Sequence, residues 1–166
     1  MDNIILIGMP GSGKSTVGVL LAKMLGYGFV DTDILIQDIE KKRLFEILDD
    51  NGNEYFSECE NRILAGIHAR RTVIATGGSA VYGKEAMKHL KEMGKVVYLK
   101  VSLKELNRRV KNFSTRGIMR KPGQSLAEIF EERAPLYEKY ADITVNCTGG
   151  TLEKNAKKII SALKKE

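Results

Sequence analysis

The chain has 166 residues, 43% of them hydrophobic, which suits one globular domain with a full core. A net charge of +6, from 27 basic against 21 acidic residues, favours anionic partners without choosing among nucleotide, anionic metabolite and nucleic acid. Cys59 and Cys147 lack metal-ligand spacing, the N-terminus lacks a signal-peptide pattern, and no apolar run nears the roughly 18 residues of a membrane helix, so reduced thiols and a cytoplasmic location are expected.

From the N-terminus, Asn3-Ile4-Ile5-Leu6-Ile7 is an apolar, β-branched run that reads as a buried strand. It leads into Gly8-Met9-Pro10-Gly11-Ser12-Gly13-Lys14-Ser15-Thr16, which matches the phosphate-binding pattern G-x-x-x-x-G-K-[ST]. Glycines let the backbone turn through conformations closed to other residues. The turn aims consecutive N–H groups into a nest for anionic oxygens. In this pattern Lys14 serves the β/γ-phosphates and the Ser15 hydroxyl ligates Mg²⁺. Residues 16–25 have helical spacing with Gly26 as a stop, which puts a helix dipole behind the phosphates. Gly11, Ser12, Gly13, Lys14, Ser15 and Thr16 are therefore the candidate nucleotide-binding residues. The glycine spacing disfavours the dinucleotide pattern G-x-G-x-x-G.

Phe29-Val30 ends a second strand in Asp31-Thr32-Asp33. Residues 34–50 read as a helix with Ile34, Ile36, Ile39, Leu44, Ile47 and Leu48 inward, and Asp50-Asn51-Gly52-Asn53 as a turn. A helix over 54–70 carries Phe56, Ile63, Leu64 and Ile67. Residues 72–76 form a third strand closed by Gly77-Gly78-Ser79, followed by a helix over 84–93, a fourth strand over 95–101 and a helix over 103–111. Residues 112–125 are polar, basic and broken by Gly117, Pro122 and Gly123. Their length for a connection in a compact domain suggests a lid. A helix over 126–140 and a fifth strand over 142–145 follow. Thr151 caps a last helix with Leu152, Ala156, Ile159, Ile160 and Leu163 buried.

Alternating strands and helices predict right-handed β-α-β units, hence an α/β fold with a parallel sheet covered on both faces, in one domain spanning 1–166. Ligands in such sheets bind outside the carboxyl ends of the strands. That brings residues 8–16, 31–33 and 77–79 to one edge. A P-loop enzyme needs a carboxylate near Mg²⁺, and one apolar run here ends in acids. Asp31 is the candidate metal residue and Asp33 the candidate group on the acceptor hydroxyl, sharing one side if the strand stays extended. The alternative is that both acids cap the next helix. Gly77-Gly78 marks either close approach to a ligand or an ordinary turn.

Together these residues resemble the shikimate kinase family, in the nucleoside monophosphate kinase branch of P-loop proteins. The resemblance is carried by residues 7–18, by Phe29-Val30-Asp31-Thr32-Asp33, by Ile74-Ala75-Thr76-Gly77-Gly78 and by Glu132-Arg133-Ala134-Pro135-Leu136-Tyr137 with the residues up to Asp142. It implies a three-layer P-loop kinase fold with five parallel strands in the order 2-3-1-4-5, a mobile lid near 112–125 and a substrate-binding helical segment near 34–70. It implies MgATP as donor and a small hydroxylated carboxylic acid as acceptor, most simply shikimate. By position Asp33 resembles the family's acid on the substrate hydroxyls, Gly77 and Gly78 its glycines against the substrate, and Arg133 its carboxylate-gripping arginine. Arg116 is similar to the lid arginine over the phosphates, and Arg109 to the arginine stacked on adenine.

Three positions depart from the family pattern: Ser57 stands where a second carboxylate-binding arginine is usual, Ser79 replaces a third glycine, and the lid reads Arg116-Gly117-Ile118-Met119. Glu54, Glu58 and Glu60 lie near the expected pocket and read as the solvent side of an amphipathic helix, or else as a site for an acceptor bearing an ammonium group. A small-molecule kinase is thus expected, with Lys14, Asp33 and Arg116 as catalytic residues, acting as a monomer without membrane or nucleic-acid partners. A different hydroxylated acceptor and a non-catalytic nucleotide-binding module are the rival readings. Against nucleic acid, the basic residues are scattered and lack interleaved aromatics.

Overall fold

The computed structural model describes residues 3–113 and 115–165, so Met1, Asp2, Ser114 (within the expected lid) and Glu166 lie outside the described residues. Five strands, β1 (Asn3–Ile7), β2 (Gly28–Asp31), β3 (Thr72–Ala75), β4 (Gly94–Lys100) and β5 (Ile143–Asn146), make one parallel sheet in the order β2-β3-β1-β4-β5. This is the expected α/β architecture and strand order. The helices are α1 (Lys14–Leu25), α2 (Thr32–Glu40), α3 (Leu44–Ala65), α4 (Lys84–Met93), α5 (Leu103–Arg109), α6 (Leu126–Tyr140) and α7 (Leu152–Leu163).

The central strand explains the sheet. Ile4, Ile5, Leu6 and Ile7 are all fully buried, because a parallel strand flanked by helices has no solvent face and so reads as a continuous apolar run. Ile5 pairs in register with Ile74 of β3 on one side and Val96 of β4 on the other. Right-handed crossovers put α1 and α7 on one face and α3, α4 and α6 on the other, and α1 packs on α7 as α3 packs on α4. The carboxyl ends of β1, β2 and β3 therefore meet at one edge. Thr76 fastens two of them: its N–H and hydroxyl both donate to the Leu6 carbonyl, at 3.1 and 2.9 Å.

Several elements differ from expectation. The helix expected over 34–50 is two helices, because Lys41 turns left-handed at φ 55° and ends α2. Lys41-Lys42-Arg43 contains no Gly, Pro, Asn or Asp to signal that break. The turn expected at 50–53 does appear, as a break at Gly52 (φ 80°, ψ 175°) between two helical stretches that run together as α3. Ile34 and Ile39 are 63% and 51% exposed. Ile34 lies about 200° around the helix from Ile36, and α2 buries only Thr32 and Ile36. Leu152, expected inside, is 44% exposed and lines a shallow surface depression with Val19 and Ile34.

Helix α1 approaches the sheet closely at Gly18, where an added Cβ would lie 2.8 Å from Phe29 Cε2 and 3.3 Å from Leu6 Cδ1. Gly18→Leu is expected to destabilise the fold by about 1–3 kcal/mol through overpacking. Urea unfolding checks this, since an unchanged midpoint means that α1 does not pack this tightly.

Candidate active site

The loop after β1 turns through positive φ at Gly8 (148°), Gly11 (82°) and Gly13 (91°), the last being the residue before α1. That conformation leaves the first N–H groups of α1 free to meet an anion. The Lys14 side chain folds back into the loop. Its Nζ donates to the carbonyls of Gly8 (2.7 Å) and Met9 (2.8 Å) and to Ser12 Oγ (3.3 Å). Burial lowers its pKa from 10.5 to about 8; the Arg116 and Arg133 guanidiniums add to the effect, while the Asp33 and Asp31 carboxylates oppose it. Among the described residues, no carboxylate is bonded to the cation that the loop holds.

Asp31 does cap the next helix, and it also reaches Ser15. Its Oδ2 accepts from Ser15 Oγ at 2.5 Å, while its Oδ1 accepts from the N–H groups of Asp33 (3.0 Å) and Ile34 (3.3 Å) and caps α2. The strand does not stay extended, so Asp31 and Asp33 do not share a strand face: β2 ends at Asp31 and Asp33 lies in the first turn of α2. Thr32 Oγ1 accepts from the Gly77 N–H at 3.2 Å and binds this turn to the end of β3. Asp33 is half-buried, and its pKa rises to about 6, first through burial and then through the neighbouring Asp31 charge, with Lys14 and Arg116 pulling it down. Ser15 and Asp31 present adjacent oxygen donors, a set that suits Mg²⁺.

The double glycine is needed for space. A Cβ on Gly77 would fall 2.6 Å from Asp33 Oδ1 and 2.9 Å from Glu60 Oε2; one on Gly78 would fall 2.7 Å from Pro10 Cδ and 3.2 Å from Arg133 Nη1. Tyr137 on α6 donates its hydroxyl to the Gly78 carbonyl at 2.5 Å and stacks on Tyr98. One turn earlier on the same helix, Arg133 is 2% exposed, donates Nη2 to the Met119 carbonyl at 2.5 Å and lies over the Tyr82 ring. Its Nε has no hydrogen-bond partner among the described residues.

One cleft of about 140 Å³ gathers most of the expected residues. Gly11, Gly13, Lys14, Ser15 and Thr16 line one side; Asp33, Gly77, Gly78 and Arg133 line the other; Arg116, Gly117, Ile118 and Met119 of the lid segment close it. That segment rests on α3: Asn53 donates to the Arg120 carbonyl at 2.7 Å, and a Cβ on Gly117 would meet the Phe45 nitrogen at 2.8 Å. Ser12 is buried beneath the loop, and Asp31 reaches the cleft through Ser15. Arg109 does not line the cleft. It is held by Glu105 Oε1 (2.8 Å) and reaches the Gly11 carbonyl at 3.4 Å.

Glu60 overturns the solvent-face reading. Glu54 and Glu58 are exposed, but Glu60 is 2% exposed, and its Oε1 accepts from Ser79 Oγ at 2.6 Å. Burial raises its pKa to about 7; Asp33 adds to the rise, while the Ser79 hydrogen bond and Arg133 oppose it. The helical spacing contained the signal. Phe56, Glu60, Ile63, Leu64 and Ile67 fall on one stripe, so a charge sits within an apolar face.

A family model described as shikimate kinase matches residues 10–164. A shikimate kinase of Clostridium botulinum (strain Okra / Type B1) is 40% identical over 169 residues, covering 99% of this chain and 98% of that one. Among solved structures, shikimate kinase from Acinetobacter baumannii in complex with shikimate superposes with a TM-score of 0.90 at 30% identity, covering 99% of this chain and 94% of that chain. Shikimate kinase from Aquifex aeolicus superposes at 0.82 with 32% identity, covering 98% and 96%.

A buried, raised carboxyl has a stability consequence. Between about pH 4.5 and 7 the folded chain holds a proton on Glu60 that the unfolded chain has released, so this group's contribution to stability falls as pH rises through that window. Glu60→Gln, which does not titrate, is expected to melt roughly 2–6 °C above the parent at pH 8 and to lose that advantage near pH 4.5. Thermal unfolding at both pH values checks this.

Proposed function

The chain belongs to the shikimate kinase family, and on that footing we propose that it moves the γ-phosphoryl group of ATP to one hydroxyl of shikimate by the residues gathered in this cleft. The observation that carries the reading is the convergence of Lys14, Asp33 and Arg133 from three separate elements on one enclosed space.

The division of labour follows from charge. The N–H groups at the start of α1, with Gly11, Ser12, Gly13 and Thr16 shaping the loop, receive the phosphates, and Lys14 exchanges its carbonyl partners for phosphate oxygens. Ser15 and Asp31 are the residues that would hold Mg²⁺, which when bound supplies charge neutralisation to the phosphoryl oxygens. Arg133 is the carboxylate grip: its buried guanidinium keeps an unused Nε donor among the described residues, and a planar fork suits a carboxylate. Gly77 and Gly78 let the acceptor ring approach the backbone. Asp33 takes a hydrogen bond from the reacting hydroxyl and orients it. The acceptor oxygen forms the new bond to phosphorus, the bond from phosphorus to the β,γ-bridging oxygen breaks, ADP leaves, and the hydroxyl proton passes to Asp33. Arg116 on the lid faces the developing charge, and lid closure excludes the water that competes as acceptor. Arg109, beside the loop at Gly11, is the adenine-side residue.

The scheme calls on no residue of a second chain, and we take the catalytic unit to be a monomer. The two buried free thiols support a cytoplasmic location. Among the described residues no helix is long and apolar enough to cross a membrane.

Purified protein with MgATP is expected to release ADP in response to shikimate. Lys14→Ala and Asp33→Asn should each lower kcat on the order of 10²–10³-fold. Arg133→Lys should raise KM for shikimate roughly tenfold or more while KM for ATP stays near the parent value. A coupled ADP assay reads all three, and variants that turn over shikimate as fast as the parent would sink the scheme.

A further inference from the structure

Two buried polar atoms beside the cleft lack a hydrogen-bond partner among the described residues, Arg133 Nε and Glu60 Oε2. The first belongs to the carboxylate grip. The second belongs to a carboxyl that the phosphoryl-transfer scheme does not use. The charged groups facing Glu60 are Asp33 from the start of α2 and Arg133 from α6, and neither hydrogen-bonds it. Among the described residues its hydrogen-bond partner is Ser79, which lies in the turn after β3 and lines the cleft.

That single bond has a directional consequence. An ionised carboxylate only accepts hydrogen bonds, whereas a hydroxyl carries one proton and two lone pairs. At 2.6 Å from Glu60 Oε1, the Ser79 hydroxyl must spend its proton on Glu60. What remains of Ser79 Oγ for a guest in the cleft is lone pairs alone. Ser79 is also nearly buried, so a guest that fails to donate there leaves the oxygen without its water partners.

We propose that Ser79 is a specificity-determining residue of the acceptor pocket and Glu60 its positioning residue: Glu60 pins the Ser79 proton, and Ser79 Oγ accepts a hydrogen bond from an acceptor hydroxyl other than the one phosphorylated. The pocket then selects acids that carry a further hydroxyl donor and rejects analogues with hydrogen, ether or carbonyl oxygen at that place. The reading rests on the cleft being the acceptor pocket. Burial raises the Glu60 pKa to about 7, so pinning strengthens as pH rises through that value.

The test is kcat/KM at pH 8 for shikimate and for analogues each lacking one hydroxyl that is not phosphorylated, with the parent, Ser79→Ala, Ser79→Gly and Glu60→Gln. The parent should disfavour one analogue by about tenfold or more. Both Ser79 variants should lose that discrimination, through KM for the acceptor rather than for ATP. Glu60→Gln, whose amide donates as well as accepts, should lose part of it. A purely packing role for Ser79 would alter melting temperature but leave the ranking of analogues unchanged. The proposal is overturned if the parent disfavours none of the analogues, if both Ser79 variants keep the parent's ranking, or if Glu60→Gln matches the parent. A parent inert toward shikimate itself would instead bring down the assignment of the acceptor, and this proposal with it.

Discussion

A lysine ammonium buried among backbone carbonyls sets the terms for the rest of the structure. Among the described residues, Lys14 is held by Gly8 and Met9 oxygens and by no carboxylate, and burial has already made its proton easier to lose. Such a charge waits for an anion, which restores the pairing that the apo loop supplies only through dipoles. The loop can hold that posture because three glycines turn where other residues are strained. It stays in place because β1 beneath it is buried on both faces.

Around that cation the acids and arginines separate by role. Asp31 is tied twice, to Ser15 and to the α2 backbone. Asp33 and Glu60 lie close to Gly77 from different helices, both with pKa values raised by burial. A chain selected for stability alone would pair or remove such groups, since an uncompensated buried carboxyl weakens the fold. Asp33 in the cleft wall and Glu60 buried behind it follow the general trade between stability and a preorganised site. Arg133 shows the same pattern from the opposite sign, with a buried donor left open.

On the proposed reading, the segment over 116–120 touches both the phosphate and the acceptor side of the cleft. Arg116 and Gly117 close over the cleft, the Arg120 carbonyl is bonded by Asn53 next to the Gly52 kink, and Arg133 is bonded to the Met119 carbonyl. An acceptor that engages Arg133 therefore touches a residue already bonded to the lid. In the scheme proposed above, that bond would link the acceptor side of the cleft to the segment that covers it.

What could be read from the residues in order was whatever is encoded over a short span. The P-loop was legible because its chemistry needs contiguous residues, and the alternation of elements was legible because burial on both faces leaves continuous apolar strands. The sheet order came with the family resemblance, not from periodicity. The chain did not disclose that Asp31 serves Ser15 and the α2 backbone together, that Lys41 breaks a helix, or that Ile34 and Leu152 face outward. Those outcomes depend on which faces meet a partner: in α2 the apolar Ile34, Leu35, Ile36 and Ile39 run around the whole helix, and Leu152 keeps to the apolar stripe of α7 but stands at its first residue. Glu60 is the sharpest case. Its place in an apolar stripe was visible, but whether it would face solvent, a cation or a serine hydroxyl was decided by the end of β3, nineteen positions away at Ser79. Sequence determined the phosphate-binding loop and the layering of the fold; tertiary structure decided the cleft facing that loop, because its walls come from the turn after β3, from α2, α3 and α6, and from residues 116–119, which share no local pattern.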